Sequence, residues 1–218
     1  MKLKLSAMLL IAIALLLPVK LNAQQILAFK FTYLDNGKQL SSSSTTTNPN
    51  LEKSIISRGK GAQDNSVSSV RSMVANMQAC KTKVEATKYE NYFEFFLKAK
   101  PGYTVSLKDL KVILRAQQNS ANTYRWAYSL DEGNSFTDLG QSEVRIDNYE
   151  NDGSQQQPID LSSHSVLQNL PTEKKVVFRL YAWGGSSSSS TDRAFGIGKS
   201  SSQGSNAISL TGYVVASK

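Results

Sequence analysis

The chain has 218 residues, one cysteine and a formal charge of +8, a length that suits a single domain able to bury a core without disulfide or metal staples. Lys2, Lys4 and Lys20 fall within residues 1–23; without them the 25 basic residues become 22 against 17 acidic ones, and the charge drops to +5. No lysine/arginine block stands in the chain, which argues against a nucleic-acid partner.

Lys2 and Lys4 form a basic start, Leu5 to Val19 is an apolar run, and Leu21-Asn22-Ala23 places a small residue before Gln24. This pattern predicts a cleavable signal peptide over 1–23, followed by one domain over 24–218. The apolar run is shorter than the ~20 residues of a spanning helix, and Pro18 closes it. No cysteine follows the expected cut to carry a lipid, and no second apolar stretch offers an anchor. The expectation is export to the periplasm, the cell surface or the medium, with no membrane span. Cys80, the only cysteine, reads as a small apolar residue against a sheet. His164, the only histidine, stands apart from it in a Ser-rich turn.

In chain order, Ile26 to Leu34 alternates as a first strand, with Leu27, Phe29, Phe31 and Tyr33 on one face, and Asp35-Asn36-Gly37 turns it. Ser41 to Asn50 is low in complexity and reads as an exposed or partly disordered loop. Ser54 to Ser57 is a short strand. Over Ser66–Ala79, Val70, Met73, Val74 and Met77 recur at three- and four-residue spacing, which predicts one or two helical turns.

The stretch 91–117 organises the rest. Phe93, Phe95 and Leu97 alternate with Tyr92, Glu94, Phe96 and Lys98, the period of a strand with one apolar face. Lys100-Pro101-Gly102 breaks the run. Tyr103, Val105 and Leu107 resume it, and Leu110, Val112, Leu114 and Ala116 continue opposite Lys111, Ile113 and Arg115. Tyr124, Trp126 and Tyr128 form the apolar side of the next strand, and Trp126 is assigned to the core. A turn at Asp131–Asn134 makes a hairpin with Ser135 to Leu139.

Lys175 to Trp183 is the second long strand: Val176, Phe178, Leu180 and Ala182 face one way, Val177, Arg179, Tyr181 and Trp183 the other. Gly184 to Thr191 is a Gly/Ser loop, and Ala194–Gly198 and Ala207–Val215 complete the pattern. About ten short strands separated by turns predict an all-β fold, an antiparallel β-sandwich.

Ser57-Arg58-Gly59, Asn91-Tyr92-Phe93-Glu94-Phe95, Lys100-Pro101-Gly102-Tyr103-Thr104-Val105, Val177-Phe178-Arg179-Leu180-Tyr181 and Leu210-Thr211-Gly212 together resemble a jelly-roll module of exported Bacteroidetes proteins. Such modules are often attached to nucleases, adhesins or surface-sorted proteins, and some similar sandwiches bind carbohydrate. The resemblance implies a jelly-roll sandwich without an activity of its own. One departure stands out: Phe195-Gly196-Ile197-Gly198-Lys199 replaces the aromatic-Arg-Ile-Asp-Asn run of many such modules. Separately, Ser129-Leu130-Asp131-Glu132-Gly133-Asn134-Ser135-Phe136 resembles an Asp-box hairpin, which implies that Asp131 bonds its own loop.

For function, the outward line Arg179, Tyr181 and Trp183, joined by Arg115, is the candidate ligand-binding set. Trp and Tyr rings stack on the apolar faces of sugars, and Arg supplies fixed donors. Glu94, Asp131, Glu132 and Asp138 read as surface charge, since nothing places two of them across a cleft as glycoside hydrolysis requires. Asp147 to Asp152 has a calcium-like composition without recognisable ligand spacing and reads as a solvated loop. No catalytic residue, metal site or cofactor is expected. The expected function is non-catalytic binding of a glycan or polysaccharide on one sheet face. The alternatives are an adhesive module contacting an envelope protein and, behind it, a polysaccharide lyase built on Tyr181 and Arg179.

Overall fold

A computed structural model describes residues 23–31, 39–63, 71–147, 149, 152–186, 193–198 and 206–217. The strands are β1 (Gln24–Phe29), β2 (Ser41–Ser43), β3 (Thr46–Thr47), β4 (Ile55–Arg58), β5 (Ala62–Gln63) and β6 (Ser72–Met77). A short helix α1 (Lys83–Lys88) leads to β7 (Tyr92–Lys98), β8 (Tyr103–Ala116) and β9 (Thr123–Ser129). Then come β10 (Thr137–Asp138), β11 (Val144–Arg145), β12 (Ser154–Gln155), β13 (Ile159–Asp160), β14 (Lys175–Trp183), β15 (Ala194–Gly198) and β16 (Ile208–Ala216). They form two antiparallel sheets. One runs β3-β1-β16-β8-β15-β6-β5 with β12 and β13 against β8; the other runs β10-β9-β14-β7-β4-β2 with β11 against β9.

The two inner faces share one core, so the fold is a β-sandwich. Along β7 the burial alternates residue by residue, as the period of two requires. Phe95 shows how the layers lock: its ring meets Phe29 of the other sheet edge-on at 5.5 Å, Trp126 at 5.9 Å, and Phe178 in a stack at 5.1 Å. Burying a ring of this size stabilises the fold by about 1.5–3 kcal/mol.

Two features of the central stretch position the rest. Lys100-Pro101-Gly102, with Gly102 at φ +83°, carries the chain from one sheet to the other, so β7 and β8 face each other across the core instead of pairing. β8 then runs through the phase change between Leu107 and Leu110 as a single strand. Gly212 pairs with Leu107 and Thr211 with Asp109, leaving Lys108 as an extra residue in a bulge that resets the alternation. Gly212 is required there, because a Cβ would lie 2.2 Å from the Ser106 carbonyl oxygen.

Two expectations are corrected. Ser72–Met77 is a strand between β15 and β5, not a helix; Met73, Val74 and Ala75 are all buried, and two-sided burial mimicked helical spacing. The helix instead forms at Lys83–Lys88, where the Thr82 hydroxyl accepts from the Glu85 amide at 3.2 Å and the Glu85 carboxylate accepts from the Lys81 amide at 2.7 Å. Ser41 to Asn50 is no loose loop: β2 pairs in one sheet and β3 in the other, with Ser44 buried at the crossing. A small hydroxyl side chain fits such a crossing, since Ser44 Oγ finds Thr47 Oγ1 at 2.7 Å.

The predicted signal peptide up to residue 22, the turn at 35–37 and most of the Ser-rich run after Gly184 lie outside the described residues. β1 begins at Gln24, the residue after the expected cut. No described helix is long and apolar enough to cross a membrane.

Candidate binding cleft and the covered sheet face

Arg179, Tyr181 and Trp183 do stand in line on the outer face of β14, but that face is covered. Tyr181 is 1% exposed and Trp183 3%. They pack with Cys80, Ala86 of α1 and Ala127 of β9 in a second apolar cluster, flanked by Tyr89, Tyr92 and Phe136. Tyr92 and Phe136 meet the Tyr181 ring edge-on at 5.6 and 6.2 Å, and Lys83 Nζ lies 5.4 Å over it. The ring faces that spacing alone offered to a sugar are therefore occupied by protein.

Arg179 is held just as firmly. Its Nε donates to Glu94 Oε2 at 2.5 Å and its Nη1 to Tyr181 Oη at 3.2 Å, and its guanidinium sits 4.1 Å from the ring centres of both Tyr92 and Phe136. Arg115 does not join this set. It projects from β8 in the other sheet, is buried, and donates from Nη1 to Ser72 Oγ at 3.1 Å. The four residues lie in two different sheets and make no common site.

The Asp-box hairpin supplies half of the cover. Ser129 Oγ donates to Asp131 Oδ1 at 2.6 Å and accepts from the Gly133 amide at 2.8 Å. The Ser135 hydroxyl donates to Asp131 Oδ2 at 2.6 Å and the Ser135 amide to Oδ1 at 3.0 Å. These bonds, led by those from the Ser129 and Ser135 hydroxyls, hold the Asp131 carboxyl well below the usual range. Asp131 thus bonds its own loop, as its sequence pattern implied, and the loop delivers Phe136 onto Arg179 and Tyr181.

An open concavity lies elsewhere, at the seam where the two sheets end side by side. On the β9 edge, Leu139 donates to Trp126 O at 2.8 Å, and pairing resumes only at Val144 opposite Tyr124. Residues 140–143 therefore flare away opposite Arg125 alone. On the β8 edge, Gln156 donates to Val112 O and Ile159 pairs with Leu110, so Gln157 and Pro158 share a place opposite Lys111. Pro158 has no N–H to give the ladder. Two bulges facing each other across the seam open a cleft of about 560 Å³.

Trp126 and Leu139, both buried, line the cleft's apolar side together with half-buried Ile159. Trp126 Nε1 is buried and has no acceptor among the described residues, an unmet donor of the kind that calls for an explanation. Gln141, Ser142, Gln157, Asp160 and Ser163 are exposed at the rim, and His164 is half-buried. The His164 ring lies edge-on to Tyr128 at 6.0 Å. Tyr124 Oη donates to Gln156 Oε1 at 3.2 Å, and burial pushes its pKa up to about 12, so it stays a neutral donor.

Sequence reasoning missed this site, although it had assigned Trp126 to the core and noted His164 in a turn. The available signals were Pro158 inside a strand-like segment and Gly140 at the end of a hairpin strand, both marks of a broken edge. No group of three or more His, Cys, Asp or Glu among the described residues is placed to hold a metal ion. No protein-family model matches the chain, and no curated protein is significantly similar to it.

Proposed function

We propose that the protein is an exported, non-catalytic module of jelly-roll type that binds a glycan in the seam cleft. The observation that carries this reading is the cleft's construction: an apolar interior of Trp126, Leu139 and Ile159 under a rim of amides, hydroxyls, one carboxylate and one imidazole. A sugar ring has the same division, apolar C–H faces edged by hydroxyls, and small-ligand sites are concave and apolar with a few polar groups that fix orientation. Among the described residues that line the cleft, Asp160 is the one carboxylate. Export rests on the leader-like start of the chain, and mass spectrometry of the secreted protein should find Gln24 at its N-terminus.

The test is isothermal titration of the protein with a panel of oligosaccharides. Ser142→Trp, at an exposed rim position, plugs the cleft without touching the core and should weaken binding at least tenfold. Binding that survives the plug unchanged would remove the site. Failure of every sugar to bind would shift the assignment to the adhesive, protein-contacting alternative.

A further inference from the structure

Resting on that reading, we infer that the cleft takes uncharged sugar chains and that Asp160 discriminates against acidic ones. The argument starts from which charges in the cleft are already engaged. Arg125 is the one permanent cation among the described residues that line the cleft. Its Nε lies 3.3 Å from Asp138 Oδ2, an ion-pair contact without hydrogen-bond geometry, and its Nη2 donates to Gly140 O at 2.8 Å. Asp138 is in turn ion-paired with Lys83 on the far side, so drawing Arg125 into the cleft would break a three-member chain. A ligand carboxylate entering here finds, among the described lining residues, no cation that is not already ion-paired.

Asp160 is arranged the opposite way. Its Oδ1 accepts from the Ser162 amide at 2.8 Å and the Ser162 hydroxyl at 2.5 Å, and its Oδ2 has no partner among the described residues. The Ser162 bonds keep the carboxyl below its usual pKa, with smaller help from His164 and Lys108, so it is ionised at neutral pH. It presents a free acceptor that suits a sugar hydroxyl and repels a uronate or sulfate group. Lys108 lies outside the cleft lining, so it does not reverse this preference. Gln141 and Gln157 add side-chain amides, each offering both a donor and an acceptor, which fits hydroxyl or N-acetyl groups and gives no advantage to charge.

The experiment is titration at pH 8 and low salt with matched neutral and uronate oligosaccharides, for wild type, Asp160→Asn and Gln157→Lys. Gln157 is exposed on a bulge, so its variant keeps the fold even if Asp160→Asn disturbs the Ser162 turn. The expected result is at least tenfold preference for the neutral chain in wild type, reduced several-fold by either variant. Equal or tighter uronate binding by wild type, or a preference that neither variant moves, overturns the inference while leaving glycan binding intact. Absence of binding by both chains overturns the underlying reading and this inference together.

Discussion

The outer face of β14 and the seam between the sheet edges are close neighbours, joined through Asp138, which pairs with Lys83 over the one and Arg125 in the other. They are built on opposite plans. The β14 face carries the more sugar-like side chains, two aromatic rings and an arginine in line, yet it is closed by α1 and the Asp-box hairpin. The seam offers few large side chains but is open, because the ladder of each sheet breaks at the same level. Side-chain identity alone does not make a binding surface: what covers the residues decides.

The sharpest way to break this comparison is Trp183→Ala. If the β14 face is a packed layer, truncating a nearly fully buried indole should cost about 3–5 kcal/mol in urea unfolding. It should leave any glycan affinity of the folded fraction unchanged; a folded variant of normal stability that loses sugar binding would restore Trp183 as a ligand contact. Next in size, Glu94→Gln leaves Arg179 between two rings without its carboxylate and should lose about 2 kcal/mol, again without effect on the cleft.

A third experiment probes the cover by pH. The Asp131 carboxyl is depressed in the folded state, so its contribution is fully present above the unfolded value of ~3.9 and fades as pH falls through the folded pKa. The stability gap between wild type and Asp131→Asn should therefore stay constant from neutral pH down to about pH 5 and narrow below about pH 4. A gap that widened on acidification would contradict the hydrogen-bonded loop. The smallest stability effect belongs to Ser142→Trp, expected within about 0.5 kcal/mol of wild type, even though it should weaken binding at the seam at least tenfold. That inversion, least stability cost with most functional cost, is the signature of the seam as the site.

Much of the sandwich was legible in the sequence because its strongest strands are one-sided. β7 and the inward half of β14 show their faces by simple alternation, and Trp126 lies where its position in β9 placed it. The errors have a common cause in tertiary context. Met73, Val74 and Ala75 sit in a strand buried on both sides, where alternation vanishes and a helical spacing appears by accident. Ser44 looked like one more solvent-seeking serine but is buried at a crossing between sheets, while Ser41 and Ser43 stay exposed in a paired strand. Thr82 to Glu85 carried a cap signature for α1, and reading it would have flagged something able to lie over β14. The cleft was hidden most deeply, since it arises from the register of four short edge strands rather than from any run of residues.

The pairing of β1 with β16 has a consequence for the order of events. Gln24 lies opposite Gly212 and Phe29 opposite Ile208, so the first strand of the sandwich is held chiefly by the last. Contacts so distant in sequence are slow to form, and here they await synthesis of β16. A growing chain consequently stays without this pairing until β16 has been made.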